Sequence, residues 1–108
     1  TGNKIEDYGI GFFTKYGDGG VDIAPIADLY KTEVWELGKH LGVDERIIDA
    51  IPTDGLWDDG RKDEDQIGAS YEQLEEAMEY RRGPALDILD ELNRKNKHKM
   101  DPIPTFKL

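Results

Sequence analysis

Gly11-Phe12-Phe13-Thr14-Lys15-Tyr16-Gly17-Asp18-Gly19-Gly20 is the stretch on which the reading of this chain turns. Its clustered glycines permit positive φ and let backbone N–H groups approach a ligand closely, and Asp18 can bind metal, ribose or ammonium beside them. On spacing alone the same residues read first as an ordinary tight turn between two strands. Around it, Thr1 to Asp28 is rich in glycine and turn residues and includes the alternating piece Val21-Asp22-Ile23. This region is predicted as loop and short extended structure with little helix.

Helical signals take over downstream. Val34, Leu37 and Leu41 recur at one-face spacing, with Gly42 where a C-terminal cap glycine belongs. Asp44 can cap a short second helix carrying Ile47, Ile48 and Ile51, which Pro52 would end. Thr53 to Asp65 is charged and turn-prone, with Leu56 and Trp57 as its large apolar residues. Asp63 with Gln66 and Ser70 with Gln73 fit the capping-box pattern, and the second box opens a helix with Tyr71, Leu74 and Met78 on one face. Gly83-Pro84 breaks the chain, proline suiting a first helical position. A last helix with Leu86, Leu89 and Leu92 runs into the basic stretch Arg94 to Lys99, and the tail with Pro102 and Pro104 is predicted extended.

The chain has 108 residues, 37% hydrophobic and 35% charged, with a mean hydropathy of -0.70. So polar a chain buries only a modest core, and some of its apolar faces are expected to pack on something outside it. It starts at Thr1, which fits a fragment or a processed product. Asp and Glu number 24 against 14 Lys and Arg, for a formal charge of -10. That balance argues against nucleic acid or an anionic membrane as the main partner, though a lysine and a metal ion can still hold a phosphate locally. Without cysteine there is neither disulfide nor thiolate chemistry. No apolar run is long enough to span a bilayer and no signal-peptide pattern opens the chain, so a soluble cytoplasmic protein is expected.

Several residue groups could carry chemistry. Lys31 falls in the first turn of its helix, where the macrodipole disfavours a cation unless an anionic ligand joins it; alternatively it lies just before the helix and is solvated. Glu6 and Asp7 could bind a hard cation, or form a solvated acidic turn. The loop Thr53 to Asp65 fails as a calcium loop, because Trp57 occupies a required ligand position; it reads as a lid that docks through Trp57, or as a surface loop. His98 and Lys99 need no ligand at a helix C-terminus. Ser-His-Asp, HExxH, CxxC, Gly-x-Gly-x-x-Gly and Walker-type patterns are absent from the sequence.

The order of these groups is specific. Thr1-Gly2-Asn3-Lys4-Ile5-Glu6-Asp7 followed by the glycine-rich string resembles the signature of the NAD synthetases, of the N-type ATP pyrophosphatase superfamily. The resemblance continues through Asp22-Ile23-Ala24-Pro25-Ile26-Ala27-Asp28-Leu29-Tyr30-Lys31-Thr32-Glu33-Val34. It resumes at Pro52-Thr53-Asp54-Gly55-Leu56-Trp57, at Asp63-Glu64-Asp65-Gln66-Ile67-Gly68 and at His98-Lys99-Met100 with Pro102.

The resemblance implies an α/β fold: residues 1–108 would be the C-terminal portion of an adenine-nucleotide α-hydrolase-like (Rossmann-like) domain, mostly helical when taken alone. It implies a ligase that adenylates the nicotinate carboxylate of deamido-NAD with ATP and then forms the amide with ammonia, releasing AMP. By motif, Thr1 and Thr53 would contact ATP, Lys31 its phosphates, and Glu6 would ligate Mg²⁺. Lys15, Asp22, His98 and Lys99 would hold deamido-NAD, and Asp18 would face the ammonia site. The family's Ser-Gly-Gly-x-Asp-Ser phosphate loop and second Mg²⁺ carboxylate would lie N-terminal to this chain, which alone is then an incomplete catalyst; the family is homodimeric. A sibling such as GMP synthetase shares the Pro-x-x-x-Leu-x-Lys-x-Glu-Val stretch, and a non-catalytic binding or interaction fragment is the alternative of a different class.

Overall fold

The computed structural model describes residues 1–53, 55, 56 and 58–108. Among these, a π-helical turn (Ile5–Ile10) precedes α1 (Lys31–His40), α2 (Glu45–Ile48), α3 (Asp63–Ile67), α4 (Tyr71–Tyr80) and α5 (Leu86–Met100). No described residue forms a β-strand, so the expected helical character holds and Val21-Asp22-Ile23 is exposed loop.

The π-helical turn corrects the expectation of little helix before Asp28. Its first donors are taken locally, since the side chain of buried Asn3 accepts from Ile5 N (3.1 Å) and Glu6 N (3.2 Å). Gly11, at φ +69°, closes its far end. The carbonyls there find partners on α5. Asn93 Nδ2 donates to Tyr8 O (3.1 Å) and Gly9 O (2.8 Å), Asn96 Nδ2 to Ile10 O (3.0 Å), and Lys99 Nζ to Gly11 O (3.0 Å). Residues three apart share a helix face, so α5 satisfies carbonyls that a helix end leaves orphaned. Those partners lie far along the chain, which is why no local pattern announces the turn.

The core lies between this turn, α4 and α5. Ile5 and Ile10 pack with Tyr71, Leu74 and Ala77 of α4 and with Leu89 of α5, closed by Ile67, Ala69 and Ala85. The Ser70–Gln73 capping box forms as predicted, Gln73 N donating to Ser70 Oγ and Ser70 N to Gln73 Oε1, both at 3.1 Å. The other proposed box is displaced by one residue. Lys62 is the N-cap of α3, its N–H meeting Asp65 Oδ2 at 3.4 Å, while Asp63 turns inward and is buried. Pro84 precedes the cap Ala85 instead of opening α5.

α1 and α2 form an outlying arm without a fully buried residue. Asp44 caps α2 as expected, accepting from Arg46 N at 2.8 Å, but the helix stops at Ile48 and leaves Ile51 outside. The arm is tied to α4 at its start: Tyr30 donates its hydroxyl to Glu79 Oε2 (2.7 Å), and Thr32 Oγ1 donates to Glu75 Oε1 (2.5 Å). Burial pushes the Glu75 carboxyl above its ordinary value despite these bonds.

Candidate functional site

Six of the nine predicted site residues fall into two groups. In the first, Tyr71 stands between Glu6 and Lys31. Its hydroxyl donates to Glu6 Oε1 at 2.6 Å, and Lys31 Nζ lies 5.9 Å from its ring centroid and 5.9 Å from that of Trp35. Lys31 is the first residue of α1, and its ammonium lies over the Tyr71 and Trp35 rings. Burial, reinforced by Glu6, pushes the Tyr71 phenol far above its ordinary range, so it stays a hydrogen-bond donor at any physiological pH.

Glu6 Oε2 accepts from Asn3 N at 3.2 Å. Each carboxylate oxygen keeps a further lone pair, so Glu6 suits a single ligand position of a cation whose other positions belong to phosphate and water. It does not form a protein cage: among the described residues, no three His, Asp or Glu side chains gather to hold a metal. Asp7 beside it is raised above the usual carboxylate range, first by burial and then by Glu6.

The second group surrounds a cavity of about 340 Å³ whose lining includes Thr1, Asp7, Phe13, Asp18, Asp22 and Lys99. Thr1, named from the sequence for ATP, Asp18, for ammonia, and Asp22 and Lys99, for deamido-NAD, thus line one space. The glycine-rich string shapes it through Asp18, which accepts from Thr14 N at 2.7 Å and folds the turn back on itself. Lys99 Nζ lies 5.8 Å from the Phe13 ring and spends one proton on Gly11 O. A second cavity, about 480 Å³, adjoins Asp18 and Lys99 and is bordered across the gap by Leu56 of the Thr53 to Asp65 loop.

Lys15 donates to His98 O and Asp101 O, each at 2.6 Å, so its ammonium closes the C-terminus of α5. His98 is exposed and meets Lys15 through its carbonyl rather than its ring. Thr53 sits at the loop's neck, donating to Arg61 O at 2.9 Å, near the closure by Asp63 N and Pro52 O at 2.9 Å. Trp57, read as the docking residue of a lid, lies outside the described residues.

Sequence reasoning missed Asn3, Tyr71 and Phe13. Tyr71 carried a signal as an apolar-face residue of α4, but its hydroxyl's partner lies 65 positions away.

The chain is similar to known proteins in sequence and in structure. A family model described as NAD synthase matches residues 1–103. The chain is 44% identical over 110 residues to the NH3-dependent NAD+ synthetase of Alkaliphilus oremlandii, covering 100% of this chain and 43% of that protein. Against the NH3-dependent NAD+ synthetase of Carboxydothermus hydrogenoformans it is 45% identical over 101 residues, 92% of this chain and 41% of that one. A solved structure of NMN synthetase from Francisella tularensis superposes with a TM-score of 0.91 at 36% identity, over 100% of this chain and 45% of that chain. The chain belongs to the NAD synthase family. It spans less than half the length of these relatives and carries a helical share of their α/β domain. The GMP synthetase alternative falls away, since the family match takes in nearly the whole chain.

Proposed function

We propose that the protein carrying this chain makes NAD from deamido-NAD by ATP-dependent amidation. A nicotinate carboxylate oxygen attacks the α-phosphorus of ATP, pyrophosphate leaves, and an acyl-adenylate forms. Ammonia then attacks the acyl carbon, AMP departs with the bonding pair, and the nitrogen loses a proton. The observation that carries this reading is the cavity shared by Thr1, Asp18, Asp22 and Lys99, in a chain whose relatives are NH3-dependent NAD+ synthetases.

Within it, Lys31 neutralises charge that develops on the ATP phosphates, its ammonium held ready on two aromatic faces. Thr1 and Thr53 contact ATP. Glu6 supplies one carboxylate to Mg²⁺, which when bound lends Lewis-acid stabilisation to the phosphates. Lys15, Asp22, His98 and Lys99 hold deamido-NAD, with Lys15 anchored at the end of α5. Asp18 faces the incoming ammonia. The phosphate-binding loop and the second Mg²⁺ carboxylate belong to the part of the relatives that this chain does not span. The whole enzyme is a cytoplasmic homodimer without nucleic-acid or membrane partners; no helix among the described residues is long and apolar enough to cross a membrane.

The reading is tested in the full-length protein. Glu6→Gln should weaken Mg²⁺-dependent adenylation more than deamido-NAD binding, because the amide keeps the shape but not the charge. Lys31→Ala should lower turnover about a hundredfold, the worth of one preorganised electrostatic contact. Equal losses in both measurements for Glu6→Gln, or unchanged turnover for Lys31→Ala, would count against these roles. The NMN synthetase likeness supports a second substrate reading, nicotinate mononucleotide in place of deamido-NAD. Competition between the two under limiting enzyme decides it.

A further inference from the structure

Tyr71 is wholly buried, yet it carries a hydroxyl into the interior. Burial of a phenol is unfavourable unless its O–H finds a partner, and a phenylalanine would fill the same space without that requirement. The partner is Glu6 Oε1, an anionic acceptor at 2.6 Å. Everything around the pair is fixed. Tyr71 opens α4, its own N–H donates to Glu64 Oε2 at 3.0 Å, and the Ser70–Gln73 box sets the helix start beneath it. On the other side, buried Asn3 donates its N–H to Glu6 Oε2 and accepts the Glu6 N–H on its side chain. The Glu6 carboxylate is therefore gripped at both oxygens, by Asn3 just ahead of the π-helical turn on one side and by Tyr71 of α4 on the other. Against the same phenol ring lies the Lys31 ammonium, from a third element.

We infer that Tyr71 is a positioning residue for Glu6: its hydroxyl fixes the carboxylate's orientation for a divalent cation, and its ring sets where the Lys31 ammonium stands relative to that carboxylate. The inference rests on Glu6 acting as a cation ligand, as proposed above. Groups that hydrogen-bond a ligating carboxylate orient it, and their loss typically lowers metal affinity about 10- to 100-fold. Packing alone predicts no such loss, since Tyr71→Phe keeps the ring, its burial and its contact with Lys31.

The test uses the full-length protein with Mn²⁺ as a spectroscopically visible probe, its dissociation constant read by electron paramagnetic resonance in the presence of ATP. Tyr71→Phe, Glu6→Gln and the double variant form a cycle, with deamido-NAD binding in the absence of metal as the control. The expected result is a loss of Mn²⁺ affinity of about tenfold or more in Tyr71→Phe. The control should be unchanged, and the hydroxyl deletion should add nothing once Glu6 is Gln. If Glu6→Gln weakens Mn²⁺ binding and Tyr71→Phe does not, Tyr71 only packs and the inference fails while the proposed function stands. If neither variant changes Mn²⁺ affinity, Glu6 is not a cation ligand and both fall. If Tyr71→Phe lowers Mn²⁺ binding, metal-free deamido-NAD binding and the melting temperature together, the role is structural and the inference is likewise overturned.

Discussion

Gly11 marks the point where the glycine-rich string meets the helical core. It holds φ +69°, and an added Cβ would lie 2.5 Å from Asn96 Cβ, an atom too close to the α5 backbone to swing away. Gly11→Ala should therefore push α5 off the π-helical turn and break the bond from Asn96 to Ile10 O. A loss of about 1–3 kcal/mol is expected from backbone strain and overpacking, read as a lower denaturant midpoint. An unchanged midpoint would mean the turn and α5 are not rigidly coupled. Lys15 teaches a related lesson at the same scale. Motif likeness points it at a ligand, whereas the structure spends two of its protons on α5 carbonyls, leaving a third free.

At the scale of elements, α4 organises the rest. Its buried face of Tyr71, Leu74 and Ala77 meets the π-helical turn and α5, and its acidic residues Glu75 and Glu79 hold the start of α1. The start of α4 is fixed by the Ser70 hydroxyl, which takes the Gln73 N–H. Ser70→Ala should cost about 1 kcal/mol of stability, the usual worth of a helix N-cap. A fold stabilised elsewhere would give the same unfolding curve with alanine, and that outcome would contradict the place assigned to this cap. At the other end, Arg81 leaves the helix at φ 53° and pairs with Asp90 of α5 through two bonds of 2.8 Å. The guanidinium holds the Asp90 carboxyl below its ordinary range.

The whole molecule is extended for its length. Its radius of gyration is 15.0 Å, with extents of 54 × 33 × 31 Å, whereas a compact domain of this size has about 13 Å. The α1–α2 arm and the tail account for this. Leu37, Leu41, Val43, Ile47 and Ile51 are exposed along the arm and its exit, and Ile103, Phe106 and Leu108 along the tail. So much uncovered apolar surface is unusual for a monomer in water. The 108-residue chain alone should bind a hydrophobic-surface dye and unfold at low temperature. A sharp, high-temperature monomeric transition without dye binding would show that these residues find cover within the chain itself.

The sequence by itself determined α1, α2, α4 and α5 and the caps at Asp44 and Ser70, because those signals are local. Ser70 and Gln73 sit three residues apart, and Val34, Leu37 and Leu41 repeat with the period of one helix turn. It also determined the family, since the order of short motifs from Thr1 to Pro102 survives without any knowledge of how they pack. Tertiary structure alone decided the π-helical turn, whose carbonyls are satisfied by Asn93, Asn96 and Lys99 more than eighty positions away. It alone decided that Asp63 is buried rather than capping α3, and that Glu6 and Lys31 share one phenol ring. The physical reason is the same each time. A hydrogen bond or a buried contact between distant residues costs chain entropy to bring together, and only the packed core supplies the free energy that fixes which distant groups meet.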